Sequence, residues 1–592
     1  MSAMWGLIWN VVFAAGILIT VLTIVPVAKE MNNHPRGLKV LFFAEMWERF
    51  SFYGMRGLLT IYLVQHFLFD QAEAQKTYAS YTTLVYLTPL LGGVIADRFL
   101  GTRKAIAFGA LALVLGHFAM GFEGKPTTQT LTYSGATYEF VTEGRNENYI
   151  ARLQIGDQAY AYNSTDAGIE IKDLPANAPV PALLPTGSFE LKKVQAEGPF
   201  QYIFYLALSL IILGVGFLKP NISSIVGQLY PEGDPRRDPG FTLYYYGINL
   251  GAFWAAIICG ALGTAVGWWA GFGVAGLGML AGYIAFVRGK DSLEGKGEPP
   301  NPEALKKSVL GPINLEMAIY IGAIVAIPLI WILVQNNAAV GTALAIGSAA
   351  VLAYIIYNMF QSSREEAGRL ILALILILAS VVFWTLFEQA GSSLSLFTAG
   401  NVDLPSNGFW SINAPQTQSF NAGFILIFAP IFAVLWVKLS QRGLDPSAPM
   451  KFALALVQVG LGFLILVWGA SYASADARVP IIFLALAYLL HTTGELCLSP
   501  VGLSWMTKLS TPKLISTLMA TWFLGSSGAQ FLGGIIAQYT ATETVAGQVT
   551  NPAKALATSI EVFNTIGWWA IGIGIVLGLA SPLLKKLAYG VK

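Results

Sequence analysis

Fifteen apolar runs, each near the twenty residues a helix needs to cross a hydrocarbon core, leave this chain little choice of architecture. They lie near 4–27, 38–69, 77–98, 103–122, 200–229, 239–265, 267–288, 312–335, 340–360, 368–398, 418–439, 450–470, 479–509, 512–539 and 558–584. Lipid offers the backbone no hydrogen-bond partner, so only helices or closed barrels span it. A barrel would show segments of about ten residues with strict alternation, a pattern absent here outside one loop. The chain is 55% hydrophobic and 11% charged, against about 25% charged in soluble domains. The expectation is an all-α polytopic membrane protein. A net charge of +2 argues against a nucleic-acid partner. Cys259 and Cys497 sit in apolar runs with no CxxC or Cys/His cluster, so they read as packing residues rather than a disulfide or a metal site.

The connecting segments set the orientation. Arg and Lys gather in 28–39, 98–104, 230–238, 288–307, 361–369, 438–451, 508–513 and the tail with Lys585, Lys586 and Lys592. The alternate loops 336–339, 399–417 and 471–478 hold one such residue at most. By the positive-inside rule the C-terminus is cytoplasmic and the first residue outside. The opening MSAMWGLIWN has no basic side chain, and Lys29, Arg36 and Lys39 follow the first run; both features favour a retained anchor over a cleaved signal. Residues 123–199 form a soluble insert with ten acids against six bases, a balance suited to the outer side. Within it, 127-TTQTLTYSGATYEFVTEG-144 reads as hairpins and 175-PANAPVPALLPTG-187 as a Pro-rich connector.

Some of the runs carry charges. In 41-LFFAEMWERFSFYGMRGLLTIYLVQHFLF-69, residues Glu45, Glu48, Arg49, Phe52 and Arg56 fall on one helical stripe. A charge at mid-bilayer costs roughly 2.5–3.5 kcal/mol on insertion scales, so such a stripe must face a protein-lined, wet cavity. Lys219 lies about ten residues before the Tyr230–Pro231 boundary, too deep to snorkel easily, and Pro220 beside it would kink its helix. Glu388 and Glu495 are also deep, and an unpaired carboxylate at such depth tends to bind a proton. His491 lies one turn before Glu495; His34, His66 and His117 lie near span ends and read as ordinary polar or interfacial residues rather than relays. Four acids (Glu45, Glu48, Glu388, Glu495) and three bases (Arg49, Arg56, Lys219) nearly balance, which suits a zwitterionic substrate: its amine meets a carboxylate and its carboxylate meets Arg or Lys. At least one site would titrate.

At these residues the chain resembles the proton-dependent oligopeptide transporter family of the major facilitator superfamily. The motifs are 45-EMWERFSFYG-54, 92-GGVIADRFLGTRK-104, 214-GVGFLKPNIS-223 with 244-YYYGINLGAF-253, and 383-FWTLFEQAGS-392 with 494-GELCLSPVGLS-504. The resemblance implies two six-helix bundles, 36–290 and 368–592, joined by 291–367 with two linker helices. The anchor and basic linker over 1–35 and the β-rich periplasmic insert at 123–199 are departures from the family pattern. It implies proton-coupled symport of di- and tripeptides across a bacterial inner membrane. The proton is the coupling ion, no other cofactor is implied, and a monomer in membrane lipid is the default. By similarity, Glu45, Glu48 and Arg49 form the proton-linked motif, Arg56 pairs with Glu388, and Lys219 pairs with Glu495 as a gate. Peptide contacts implied by position are Arg49 and Lys219 for the carboxylate and Glu495 for the amine. Asn249 and Asn421 would take the peptide amide, and Tyr53, Tyr86, Trp384, Trp522 and Ser526 the side chains, with Arg56 and Glu388 also among the substrate-binding residues. Phe52 stands where the family usually has a tyrosine, which opens the question of substrate preference.

Three alternatives remain. A related fold could carry nitrate or another small solute. A receptor could sense peptide through the insert without transporting it. An intramembrane enzyme finds no HExxH, no GxSxG and no deep aspartate pair.

Overall fold

The computed structural model describes residues 2–165, 167–405, 411–511 and 514–591. Asp166 of the insert, Lys592 of the basic tail, 406–410 of the loop 399–417 and 512–513 of the segment 508–513 lie outside them. Seven long helices come first: α1 (Ser2–Met31), α2 (Arg36–Gln65), α3 (Gln71–Ile95), α4 (Gly101–Met120), α5 (Phe200–Gln228), α6 (Arg237–Ala265) and α7 (Trp268–Arg288). A short α8 (Pro302–Lys306) precedes α9 (Leu315–Val325), α10 (Ile327–Gln335) and α11 (Asn337–Gln361). The remaining helices are α12 (Arg364–Phe387), α13 (Ser393–Asn401), α14 (Ser419–Gln441), α15 (Ala448–Ala470), α16 (Ile481–Leu509), α17 (Ile515–Tyr539) and α18 (Pro552–Lys586). Among the described residues, eleven helical stretches are long and apolar enough to cross a membrane, one of them the continuous Gln71–Met120.

Helix boundaries follow local chemistry. Ser363 and Glu366 form a reciprocal capping box that starts α12, with the Glu366 N–H donating to Ser363 Oγ and the Ser363 N–H to Glu366 Oε2. Asn551 accepts from the Lys554 N–H at 2.9 Å and Pro552 occupies the first turn of α18. Two expected single helices are broken. The linker span 312–335 divides at Ala326, where Pro328 enters the first turn of α10 without an N–H to donate. The span 368–398 breaks at Glu388 into a 3₁₀ turn, Glu388–Gly391, before α13.

The helices pack as two groups with separate apolar cores. In the first, α2 lies against α6 and α7, and α4 lies against α5 and α7; in the second, α15 lies against α16 and α18. Helices attract weakly in lipid, so close approach relies on small residues. A Cβ at Gly109 of α4 would come within 2.6 Å of Gly214 O on α5, and one at Gly214 within 2.7 Å of Gly109 O. The groups meet along α3 with α17 and α6 with α14, and the linker helices α10 and α11 lie beside that seam, α11 touching both α3 and α17.

The insert is β-rich, as the Thr/Tyr/Phe/Val content of 127–144 implied, and a short strand, Leu183–Pro185, also falls inside the segment 175–187 expected as a connector. β1 (Thr128–Tyr133), β2 (Ala136–Glu143), β3 (Ile150–Ile155) and β4 (Gln158–Tyr160) lead to β5 (Tyr162–Thr165), β6 (Gly168–Ile171), β7 (Leu183–Pro185) and β8 (Phe189–Val194). They form a five-stranded antiparallel sheet, β4-β3-β2-β1-β8, and a three-stranded sheet, β5-β6-β7. Ser134 and Gly135 both have positive φ, 49° and 82°, the pairing a tight two-residue hairpin requires. Leu131, Phe140 and Leu153 turn inward onto a small core. Three further pairings of two or three residues per strand were not foreseen: β9 (Ser308–Leu310) with β10 (Ile313–Asn314), β11 (Val402–Asp403) with β12 (Val479–Pro480), and β13 (Thr544–Val545) with β14 (Gln548–Val549).

Candidate functional site

The charged stripe of α2 points into the protein rather than toward lipid: Glu45, Glu48, Arg49 and Arg56 are all buried. Arg49 Nε donates to Glu45 Oε1 at 2.8 Å, one helical turn back, and lies 3.0 Å from Glu48 Oε2. One base therefore serves two acids, and Glu45 Oε2 and Glu48 Oε1 accept no hydrogen bond from the described residues. Lys219, on α5 opposite, feels Glu48, Glu45 and Arg49 electrostatically. Its Nζ stands 3.8 Å from the centre of the Tyr86 ring, a cation–π contact.

One turn beyond Tyr53, Arg56 crosses the seam. Its guanidinium pairs with the Glu388 carboxylate of the second group, donates from Nε to the Tyr78 hydroxyl at 2.7 Å and lies 5.8 Å from the Tyr53 ring centre. The break in the 368–398 span makes this possible. A Cβ at Gly391 would sit 2.0 Å from the Tyr78 oxygen and 2.7 Å from Arg56 Nε, so only glycine leaves room for that pair.

Beside the bridge is a cavity between the groups. The first group supplies Tyr53, Arg56, Tyr86 and Asn249, and the second supplies Trp384, Glu388, Asn421 and Glu495. Asn421 Nδ2 donates to Glu495 Oε2 at 3.2 Å and to Thr492 Oγ1 at 3.0 Å; Asn249 Nδ2 donates to the Tyr245 carbonyl at 3.0 Å. The wall, to which Gln418 also belongs, therefore offers an acid, Glu495, that no described base pairs with, an acid–base bridge, three amides and several aromatic rings. That set can hold both ends of a small zwitterion with an apolar body between them.

Eight of the expected contact residues line this cavity; Arg49, Lys219, Trp522 and Ser526 do not. Arg49 is turned back on its own helix. Trp522 packs its ring where Gly502 has no Cβ, and Ser526 Oγ donates to the Trp522 carbonyl at 3.2 Å. The expected Lys219–Glu495 pair is not made in this arrangement: Lys219 rests on Tyr86 and Glu495 on Asn421. Phe52 is buried edge-to-face on Tyr53, 5.3 Å between ring centres, and does not line the cavity, whose tyrosines are Tyr53, Tyr86, Tyr245 and Tyr488. Tyr245 and Tyr488, like Gln418 and the bridge partner Tyr78, were missed in the sequence. Tyr245 is one turn before Asn249 and Tyr488 two turns before Glu495, so helical periodicity from the charged positions could have found both.

Comparison with known proteins gives one answer throughout. The family model described as the POT family matches residues 103–555. The chain is 32% identical over 570 residues to an uncharacterized transporter, YclF, of Bacillus subtilis (strain 168), covering 95% of this chain and 97% of that one. It is 27% identical to dipeptide and tripeptide permease B of Aliivibrio fischeri (strain MJ11), covering 94% and 95%. Among solved structures, a peptide transporter POT in complex with sulfate superposes with a TM-score of 0.67 at 30% identity, over 94% of this chain and 96% of that one. A POT family transporter in complex with 5-aminolevulinic acid gives 0.68 at 27% identity, over 93% and 97%. With its helical architecture and nearly its full length matched, this multi-pass membrane chain belongs to the POT family.

Proposed function

We propose that the chain imports di- and tripeptides together with protons by alternating access, as a monomer in a bacterial inner membrane. The observation that carries this reading is the cavity of mixed charge at the seam, flanked by a buried ion pair, Arg56–Glu388, whose two halves belong to different helical groups. A substrate amine would meet Glu495, its amide Asn249 and Asn421, and its carboxylate Arg49 or Lys219 after these bases turn from their present partners. Dipeptide and tripeptide permeases among the relatives support the substrate class. Basic loops at one end and the acidic insert at the other support a cytoplasmic C-terminus.

In that orientation the outer end is the closed one. Thr60 Oγ1 donates to the Gly391 carbonyl (2.7 Å), Asn413 Nδ2 to the Gly260 carbonyl (2.9 Å) and Gln416 Nε2 to the Ile257 carbonyl (3.1 Å), all across the seam. Protonating Glu388 removes the charge that holds Arg56 and loosens the outer closure. The Glu45–Glu48–Arg49 cluster carries the coupling proton, because one base cannot satisfy two ionised acids. The Lys219–Glu495 pair would form when the cytoplasmic end shuts. Coupling follows if proton and peptide bias the same two-state element.

Uptake of labelled alanine dipeptide into proteoliposomes, with and without an inward proton gradient, tests the reading. The native chain should accumulate peptide only with the gradient, and Lys219→Ala should lose that accumulation. Glu48→Gln should retain peptide exchange but lose the response to the gradient. Gradient-driven accumulation unchanged in Glu48→Gln removes the motif from coupling, and no uptake by the native chain removes peptides as substrate.

A further inference from the structure

The insert is rooted in one helical group and held by the other. Its roots are in the first group. The Glu123 carbonyl meets His66 Nε2 at 2.8 Å, Glu123 Oε2 accepts from the Trp269 N–H at 2.8 Å, and Asn146 exchanges two hydrogen bonds with the Gln65 side chain, 2.8 and 2.9 Å. The chain leaves by α4 and returns by α5, so the insert travels with that group.

Its opposite face closes on the hairpin β13–β14 of the second group. Val545 and Ala546 are buried in the insert's own apolar cluster, beside Leu131, Phe140 and Tyr162. The Tyr162 hydroxyl donates to the Val545 carbonyl at 2.9 Å and the Tyr149 hydroxyl to the Ala546 carbonyl at 2.7 Å. The Ala546 N–H donates to Gln129 Oε1 at 2.6 Å, and the Ala151 N–H to Gln548 Oε1 at 2.8 Å. Ala546 is left-handed, φ 48°, a conformation alanine adopts at a cost, here fixed by bonds on both sides of the residue. A second contact reaches the loop before α14, where the Ala414 N–H donates to Glu147 Oε2 at 3.1 Å. The hairpin base is closed by the Thr550 N–H on the Glu543 carbonyl at 3.3 Å, and its stems run directly into α17 and α18.

We propose that the insert is a strap across the outer end of the two groups, which must release the β13–β14 hairpin whenever that end opens and so sets the balance between the two access states. The inference rests on the alternating-access reading above. Rocking of one group against the other about a midplane site separates their outer ends. Tyr149, Tyr162, Gln129 and the buried Val545–Ala546 pair resist that separation, and nothing in the transport cavity needs them. A chain of this fold without the strap would visit the outward-open state more often.

The test uses the full chain in lipid, with spin labels at Lys76→Cys on α3 and Asp476→Cys in the loop before α16. Both positions are exposed, and both native cysteines are buried. Replacing Tyr149 and Tyr162 together by phenylalanine keeps the rings and removes two donors. The outward-open population, read as the longer label–label distance, should rise about tenfold relative to the closed one. An unchanged distance distribution overturns the strap. In a second variant, Gln129→Cys with Ala546→Cys joins insert to hairpin on oxidation. Transport by that protein should stop on oxidation and return with reductant. Undiminished uptake by the fully cross-linked protein overturns the proposal, because the hairpin would then travel with the insert. The distance measurement needs no substrate, so failure of the native chain to take up peptide counts against the peptide assignment alone.

Discussion

At the scale of single residues, the Arg56–Glu388 bridge is the most consequential contact, because each partner depends on the other and on a glycine. Removing one partner of a buried pair typically costs about 3–5 kcal/mol, since the other charge is stranded. Glu388→Gln should therefore favour opening of the insert end and abolish gradient-driven accumulation while the protein still folds. Uptake and exchange assays on one preparation would separate these effects. Gly391→Ala should act similarly without touching a charge, because its methyl would occupy the space of the Tyr78 hydroxyl and Arg56 Nε. Pairing it with Tyr78→Phe should restore part of the loss, whereas no recovery would place the fault in the 3₁₀ turn itself. The charges were legible in the sequence because apolar surroundings make them conspicuous. Tyr78, Tyr245 and Tyr488 were not, since a tyrosine in an apolar run reads equally well as core.

At the scale of elements, the insert contains a titrating group whose sign can be worked out. Burial pushes the Glu147 carboxyl above its ordinary range, against the backbone N–H bonds and the nearby Arg478 that favour its charge. The docked state thus binds this proton more tightly than an undocked, solvated one. Docking is favoured below the ordinary carboxylate range, and that contribution is lost as pH rises through the docked value. Glu147→Gln mimics the protonated form, so its melting temperature should exceed the native value near pH 7.5 and converge with it in acid. A native-like melting temperature at pH 7.5 would show that the hydrogen bonds outweigh burial. Glu298, by contrast, is held below its ordinary range by hydrogen bonds from Arg103; its contribution is present above that range and lost as pH falls through the lowered value. The insert's first hairpin was foreseen from Thr/Tyr/Phe/Val content and the Ser-Gly and Glu-Gly breaks. The β13–β14 hairpin was not, because strands of two residues carry no period.

At the scale of the whole molecule, α1 is an addition that packs on the first group, its Met31 buried in that group's core. It meets α6 through Thr23 with Tyr246, Trp254 Nε1 donating to Thr20 Oγ1 at 3.3 Å, and Gly16 against the Phe253 ring. Among the described residues, none of α1 lines the cavity. Removing residues 2–31 should leave dipeptide uptake within about twofold of native, the range typical of changes remote from a site. A larger loss would give α1 a part in the motion, through Phe253, which also touches Gly423 across the seam.

The sequence by itself determined most of the spans, the depth of each charge and the family, because twenty-residue apolar runs and charges inside them are local properties that lipid makes costly to violate. It also placed Arg56 with Glu388 by resemblance. Only the tertiary structure decided which partners each base takes in this state. Arg49 lies on Glu45, Lys219 lies on Tyr86, and Glu495 lies on Asn421 rather than on Lys219. Such pairings depend on how two rigid groups are tilted against each other, and one sequence serves every tilt. The same reason hid the strap: its halves are some four hundred residues apart and meet only when the outer end is shut.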